Sequence, residues 1–283
     1  MVVMVRGGER KGRRRVYDLS TAAADFAERD GLPDRTILIC TQRRSGSTLL
    51  GEAFYFAGGL GCPLEYFNQG FQPSFERRWQ SSDIRNYIAD LHRLRTDPSG
   101  VFSIKLFWND LAALATALTF RDIDSALGSG ASQTADETYR DIFAAVEHCF
   151  PNPTFVFLTR RDMVRQAVSL AVASQTSVWR QLSRYRSSPR PIFDFDEIVQ
   201  NLARIQGDNL HWEKFFRAVQ LPHVNIVYED ISGDYDQTIR RLFDALGRPD
   251  APIVRPRLER QANDISESLR EEFLSEFRQR TRG

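Results

Sequence analysis

The stretch Ile37-Leu38-Ile39-Cys40-Thr41-Gln42-Arg43-Arg44-Ser45-Gly46-Ser47-Thr48-Leu49-Leu50 decides how the chain is read. An apolar run with the look of a buried strand leads through a short polar turn into a helix start that carries hydroxyls, one glycine and two arginines. Backbone N–H groups at a helix N-terminus have no intrahelical partners and carry the positive end of the helix dipole. Gly46 lets the backbone approach a ligand, and Ser47 and Thr48 add hydroxyl donors, so a phosphate-like anion is the expected occupant. A nucleotide triphosphatase loop reads G-x-x-x-x-G-K-[ST]. Here the first glycine and the lysine are missing, and Arg43 and Arg44 precede the turn instead. The pattern favours an anion held by fixed donors over a magnesium nucleotide. A hydroxyl-rich cap on an ordinary helix is the competing reading.

Working outward, 283 residues with 42% hydrophobic side chains suit a single large domain with an ample core. The expected division is a basic head and lead-in over residues 1–30 and one domain over 31–283. A formal net charge of +1 argues against a nucleic-acid partner bound through a strongly basic surface, while leaving room for a local anion site. Cys40, Cys62 and Cys149 form no CxxC pair, which fits small buried side chains in a reduced, cytoplasmic protein. No apolar run approaches the roughly 20 residues that span a bilayer. The basic segment from Arg6 to Arg15 is followed by no apolar stretch over Val16–Asp25, so it reads as a disordered tail rather than a targeting signal.

Further strands are expected at Val101–Leu106, Thr154–Thr159 and Asn225–Tyr228, with helices at Thr48–Ala57, Asp110–Leu118, Glu137–His148, Met163–Ser174, Phe195–Val219 and Tyr235–Leu246. Short strands alternating with helices imply an α/β fold with a central, mainly parallel sheet and ligands beyond the carboxyl ends of its strands. Asp122–Asp136 and Leu182–Asp194 read as flexible surface excursions.

A second anion site follows the third strand, where Thr159-Arg160-Arg161-Asp162 runs into Met163-Val164-Arg165-Gln166-Ala167-Val168-Ser169. Arginine offers bidentate contacts to phosphate, and Ser169, about two turns along the helix, can face the same pocket. Read alone, Arg160–Asp162 is more simply a surface ion pair and Ser169 a neutral helix residue.

Two such elements on one sheet match the sulfotransferase fold, a P-loop-like three-layer arrangement with helices on both faces of the sheet. More narrowly, the sequence resembles the bacterial trehalose 2-sulfotransferase family, to which nodulation-factor sulfotransferases are also similar. The resemblance runs in order through Arg43–Leu50, Pro63-Leu64-Glu65-Tyr66-Phe67, Gly100–Asn109, Arg160–Ser169, Gln175–Arg180 and Leu258-Glu259-Arg260-Gln261-Ala262, over about residues 36–275. It implies a sulfuryl donor, 3′-phosphoadenosine 5′-phosphosulfate (PAPS), with its 5′-phosphosulfate cradled by Arg44, Ser45, Gly46, Ser47 and Thr48, with Arg43 beside them. Arg160 and Ser169 would hold the 3′-phosphate, with Arg161 inseparable from Arg160 by sequence, and Arg260 and Gln261 would make a late donor contact.

Sulfuryl transfer is an in-line displacement that needs positioning, positive charge and a base near the acceptor. Arg44 and Lys105 could supply the charge, and no metal is expected. The resemblance assigns the base role to Glu65, whose neighbours Leu64, Tyr66 and Phe67 would partly desolvate it; a loop carboxylate that only bonds backbone or sugar hydroxyls is the alternative. His92, His148, His211 and His223 lie outside every motif. Tyr66, Trp108, Trp179 and Arg180 are acceptor-pocket candidates, the two tryptophans reading equally as core aromatics. The acceptor implied is trehalose or another small-molecule or glycolipid carbohydrate, and a homodimer is implied by the resemblance alone. The rivals are a nucleotide-dependent small-molecule kinase, which lacks its lysine loop here, and a non-catalytic nucleotide-binding module.

Overall fold

A computed structural model of the chain describes residues 17–128, 132–179, 190–256 and 264–282. The four apolar runs form β1 (Arg35–Thr41), β2 (Val101–Phe107), β3 (Pro153–Thr159) and β4 (His223–Val227), all parallel in the order β2-β1-β3-β4. Around them lie α1 (Ser47–Ala57), α2 (Gln72–Trp79), α3 (Ile84–Arg95), α4 (Trp108–Thr119), α5 (Ile123–Gly128), α6 (Ser132–Cys149), α7 (Met163–Thr176), α8 (Phe195–Val219), α9 (Tyr228–Gly233), α10 (Tyr235–Ala245) and α11 (Asp264–Arg280).

Alternation along the strands builds three layers. Leu38, Cys40, Phe102, Ile104, Leu106, Phe155 and Phe157 join one core, shared with α3, α4, α6 and α8. Ile37, Ile39, Val156 and Leu158 face the other way, onto Leu50, Ala53 and Phe54 of α1 and Ile239, Leu242 and Phe243 of α10. The chain leaves β1 for β2 on one side and returns to β3 on the other, so the sheet's switch point lies at β1. Thr41 is opposite both Phe107 and Leu158, so the turns that follow β1, β2 and β3 emerge along one edge.

Some expectations are revised. The described part of Asp122–Asp136 is helical rather than a loop: Asp122 accepts hydrogen bonds from Ser125 N and Ser125 Oγ, Ile123 is buried, and α5 and α6 occupy it, residues 129–131 lying outside the described residues. Of the second excursion, Arg190–Asp194 has no regular structure and ends with the Asp194 carboxylate capping α8 through Glu197 N; residues 182–189 lie outside the described residues. The basic head up to residue 16 also lies outside them. The lead-in after it is packed down. Arg95, fully buried, donates to Leu19 O at 2.9 Å and Ala24 O at 3.2 Å and pairs with Asp25 at 2.8 Å.

Candidate active site

The loop after β1 carries positive φ at Arg44 (64°) and at Gly46 (89°), the second being the residue that precedes α1. A Cβ at Gly46 would collide with the ring of Tyr228, so both the φ and the contact require glycine. No side chain caps α1. Its first N–H groups are therefore left for a ligand. Ser45 has a different duty. Thr41 Oγ1 donates to Leu158 O at 2.7 Å, so the buried 2.6 Å contact between Thr41 and Ser45 uses the Ser45 proton; this hydroxyl braces β1 against β3, and only its backbone N–H remains for an anion.

The left-handed turn at Arg44 sends its guanidinium toward α7, where Nε donates to Ser169 Oγ at 2.9 Å and a terminal nitrogen donates to Trp179 O at 2.9 Å. Arg160 returns the connection by donating to Arg44 O at 3.1 Å, while Gln166 Nε2 donates to Arg43 O at 2.8 Å. The loops after β1 and β3 are thus one bonded unit. Arg160 and Arg161 part company: the Arg160 side chain is 10% exposed and lies 4.7 Å from the Tyr228 ring centre, whereas that of Arg161 is 62% exposed and pairs with Asp230. Burial, with repulsion from Arg160 next, pushes Arg44 down to about 10, Tyr228 and Glu65 opposing; burial also lowers Arg160. Both remain cationic at neutral pH. The Arg160 guanidinium pairs with Glu229, Nε to Oε1 at 3.8 Å, which offsets part of its desolvation without completing a hydrogen bond. Nε of Arg160 and Oε1 of Gln166 have no hydrogen-bond partner, further capacity in the same unit.

Sequence reasoning missed two residues here. Tyr228, at the carboxyl end of β4, packs against both Gly46 and Arg160, and Glu229 accepts from Arg161 N at 2.9 Å and Asp162 N at 3.2 Å, bracing the turn after β3. Their signal was position: both follow a parallel strand at its ligand end.

Lys105 stands on β2 opposite Ile39, buried, with its Nζ 3.0 Å from Glu65 Oε1. Leu64 forms a single parallel bridge to Ile104, and Lys105 N donates to Leu64 O at 2.9 Å, which sets Glu65 beside that amine. The apolar surroundings expected for Glu65 are thus replaced on one side by a cation. Tyr66 turns inward, fully buried with its hydroxyl donating to Cys62 O, and cannot face an acceptor as placed. Trp108 is likewise in the core, 5.0 Å from the His211 ring and stacked on it. Trp179 is 47% exposed at the rim beside Arg44. Arg180, Arg260 and Gln261 lie outside the described residues. A cleft of about 360 Å³ lined by Arg85, Leu118, Arg121, Asp141 and His148 holds none of the candidates; the Arg44 side chain reaches from the loop after β1 to Ser169 on α7.

Two further carboxylates approach from the other helices. Burial pushes Asp110 of α4 up to about 6, with Arg43 opposing and Glu65 reinforcing, and burial raises Asp208 of α8 to about 6, Arg204 and Arg43 opposing. A raised carboxyl pKa means that the native state holds the proton more tightly than the unfolded chain between about pH 4 and 6, so stability falls as pH rises through that window and stays lower above it. Asp110→Asn is therefore expected to stabilise the protein at neutral pH by about 1–3 kcal/mol and to flatten the pH dependence of urea unfolding between about pH 4 and 6. An unchanged slope would contradict this.

Residues 36–279 match the family model described as Stf0 sulphotransferase. The chain belongs to the Stf0 sulphotransferase family. The matched span contains the loops after β1, β2 and β3 that carry the site. Two relatives bear the name trehalose 2-sulfotransferase. One, from Mycobacterium tuberculosis (strain Erdman), is 26% identical over 268 residues, covering 86% of this chain and 95% of the relative. The other, from Mycolicibacterium smegmatis, is 25% identical over 264 residues, covering 83% and 93%. Among the described residues no helix is long and apolar enough to cross a membrane.

Proposed function

We propose that this protein transfers the sulfuryl group of PAPS to a hydroxyl of a carbohydrate, trehalose or a related sugar or glycolipid, without a metal. The family and the relatives' names support sulfuryl transfer and a sugar acceptor. The single observation that carries the donor is the pair of half-buried guanidiniums, Arg44 and Arg160, beside an uncapped helix start. Arginines, hydroxyls and backbone N–H groups are donors suited to phosphate and sulfate oxygens. PAPS, when bound, supplies an activated sulfuryl group and two phosphate positions.

The chain's own residues divide the work. Arg160, with Ser169, binds the 3′-phosphate, and Ser47, Thr48 and the N–H groups of the Gly46 turn hold the 5′ end. Arg44, bonded to Ser169, lies between these two positions and can bond either. Lys105 places positive charge where negative charge grows on the transferring group and the leaving phosphate. Glu65, set against Lys105, exchanges that ion pair for a bond to the acceptor hydroxyl and takes its proton.

Calorimetry with adenosine 3′,5′-bisphosphate in EDTA is expected to give a one-site isotherm. Heat that appears only on adding Mg²⁺ would overturn the reading in favour of a kinase. Arg160→Ala is expected to cost about 1.5–3 kcal/mol of that binding, and Ser169→Ala less. The analogue without the 3′-phosphate is the control: Arg160→Ala should bind it as the wild type does, and an equal loss for both ligands would remove Arg160 from the 3′ site.

A further inference from the structure

β1 and β2 end side by side, and just past them lie two side-chain atoms with no hydrogen-bond partner, Gln42 Nε2 and Asp110 Oδ2. Both residues are 4% exposed. Gln42 directly precedes Arg43, and Asp110 is in the first turn of α4, where Oδ1 accepts from Asn109 Nδ2 at 3.2 Å. Arg43, Glu65 and Asp208 act on Asp110 through their charge and the Asn68 side chain through a hydrogen bond to its carboxylate, which leaves Oδ2 as the oxygen without a partner. The Arg43 guanidinium lies over the Phe107 ring at 4.8 Å and also acts on Asp208. This corner therefore adjoins Glu65 on the acceptor side.

A buried amide donor and a buried carboxylate acceptor left unmatched in the folded chain are expensive to keep. A ligand that matches them must both donate and accept. A hydroxyl does both, but the hydroxyl that loses its proton to Glu65 is already engaged. Resting on the proposed sulfuryl transfer, we propose that Asp110 Oδ2 and Gln42 Nε2 bind a second hydroxyl of the acceptor, which makes this protein selective for polyols over simple alcohols. Asp110 would then fix which hydroxyl of the sugar reaches Glu65.

The test is acceptor kinetics with wild type and Asp110→Asn, using trehalose, other sugars and their monodeoxy derivatives. Wild-type transfer to no sugar at all would overturn the proposed function, and this inference with it. Where wild type is active, Asp110→Asn is expected to raise the acceptor KM at least about tenfold while the Kd for adenosine 3′,5′-bisphosphate stays unchanged. Removing one particular hydroxyl other than the sulfated one should cost wild type a similar factor and cost the variant nothing further. An unchanged acceptor KM in Asp110→Asn, or the same deoxy penalty in both proteins, would overturn the inference while leaving sulfuryl transfer standing. Should the variant fail to fold, the wild-type deoxy series decides: no hydroxyl beyond the sulfated one mattering, or simple alcohols reacting as well as sugars, overturns it.

Discussion

Glu65→Gln is expected to lower kcat by about 10²–10⁴ while the Kd for adenosine 3′,5′-bisphosphate stays within about twofold of wild type. The amide keeps the shape of the carboxylate and can still accept a hydrogen bond from Lys105, but it is too weak a base to take the acceptor's proton. Glu65 sits after α1 and beside β2 and makes no bond to the unit formed by Arg44, Arg160, Gln166 and Ser169, and its charge is the weakest of the influences named on Arg44, so donor binding should follow it little. Lys105 is buried and loses its charged partner, so a lower Tm is expected as well. Rates are therefore to be measured well below the melting transition. A variant that retains most of its kcat, or one that fails only through lost donor binding, would take Glu65 out of the mechanism.

Lys105→Met is expected to lower kcat by about 10²–10³. Its Nζ is the cation nearest Glu65, held at 3.0 Å, and its stem runs past Gly51 of α1, where a Cβ would lie 3.9 Å from Cδ. Methionine fills the same channel without the charge. The loss should fall on the reacting complex rather than on the 3′-phosphate, so Lys105→Met is expected to weaken adenosine 3′,5′-bisphosphate binding less than Arg160→Ala does. The reverse order, measured by calorimetry on both variants, would exchange the roles assigned to the two residues.

The parallel sheet was legible because its strands are short apolar runs between polar turns, and the helix expected at Phe195–Val219 coincides with α8. Helices α2 and α3 went unread. In α2, Pro73 and charged residues hide a single buried Phe75, while α3 is marked by Asp83, whose carboxylate accepts from Arg85 N and Asn86 N. Within the site, the loops could be placed by the rule that ligands lie beyond strand ends, but partners could not. Glu65 and Lys105 are 40 residues apart and meet through one bridge between Leu64 and Ile104. Arg160 could not be told from Arg161 because neighbours at the end of a strand project to opposite sides, and only the fold says which side holds Tyr228 and Arg44. Tyr66 carried the opposite lesson: a motif neighbour of Glu65 points into the core for the same reason of alternation.

The most direct measurement incubates the wild-type protein with PAPS and trehalose in EDTA and follows both products by mass spectrometry. The account predicts sulfated trehalose and adenosine 3′,5′-bisphosphate in equal amounts, with both signals greatly reduced in Glu65→Gln. Donor binding with no sulfation of trehalose or any other carbohydrate offered, or transfer that requires Mg²⁺ and a nucleoside triphosphate, would contradict it.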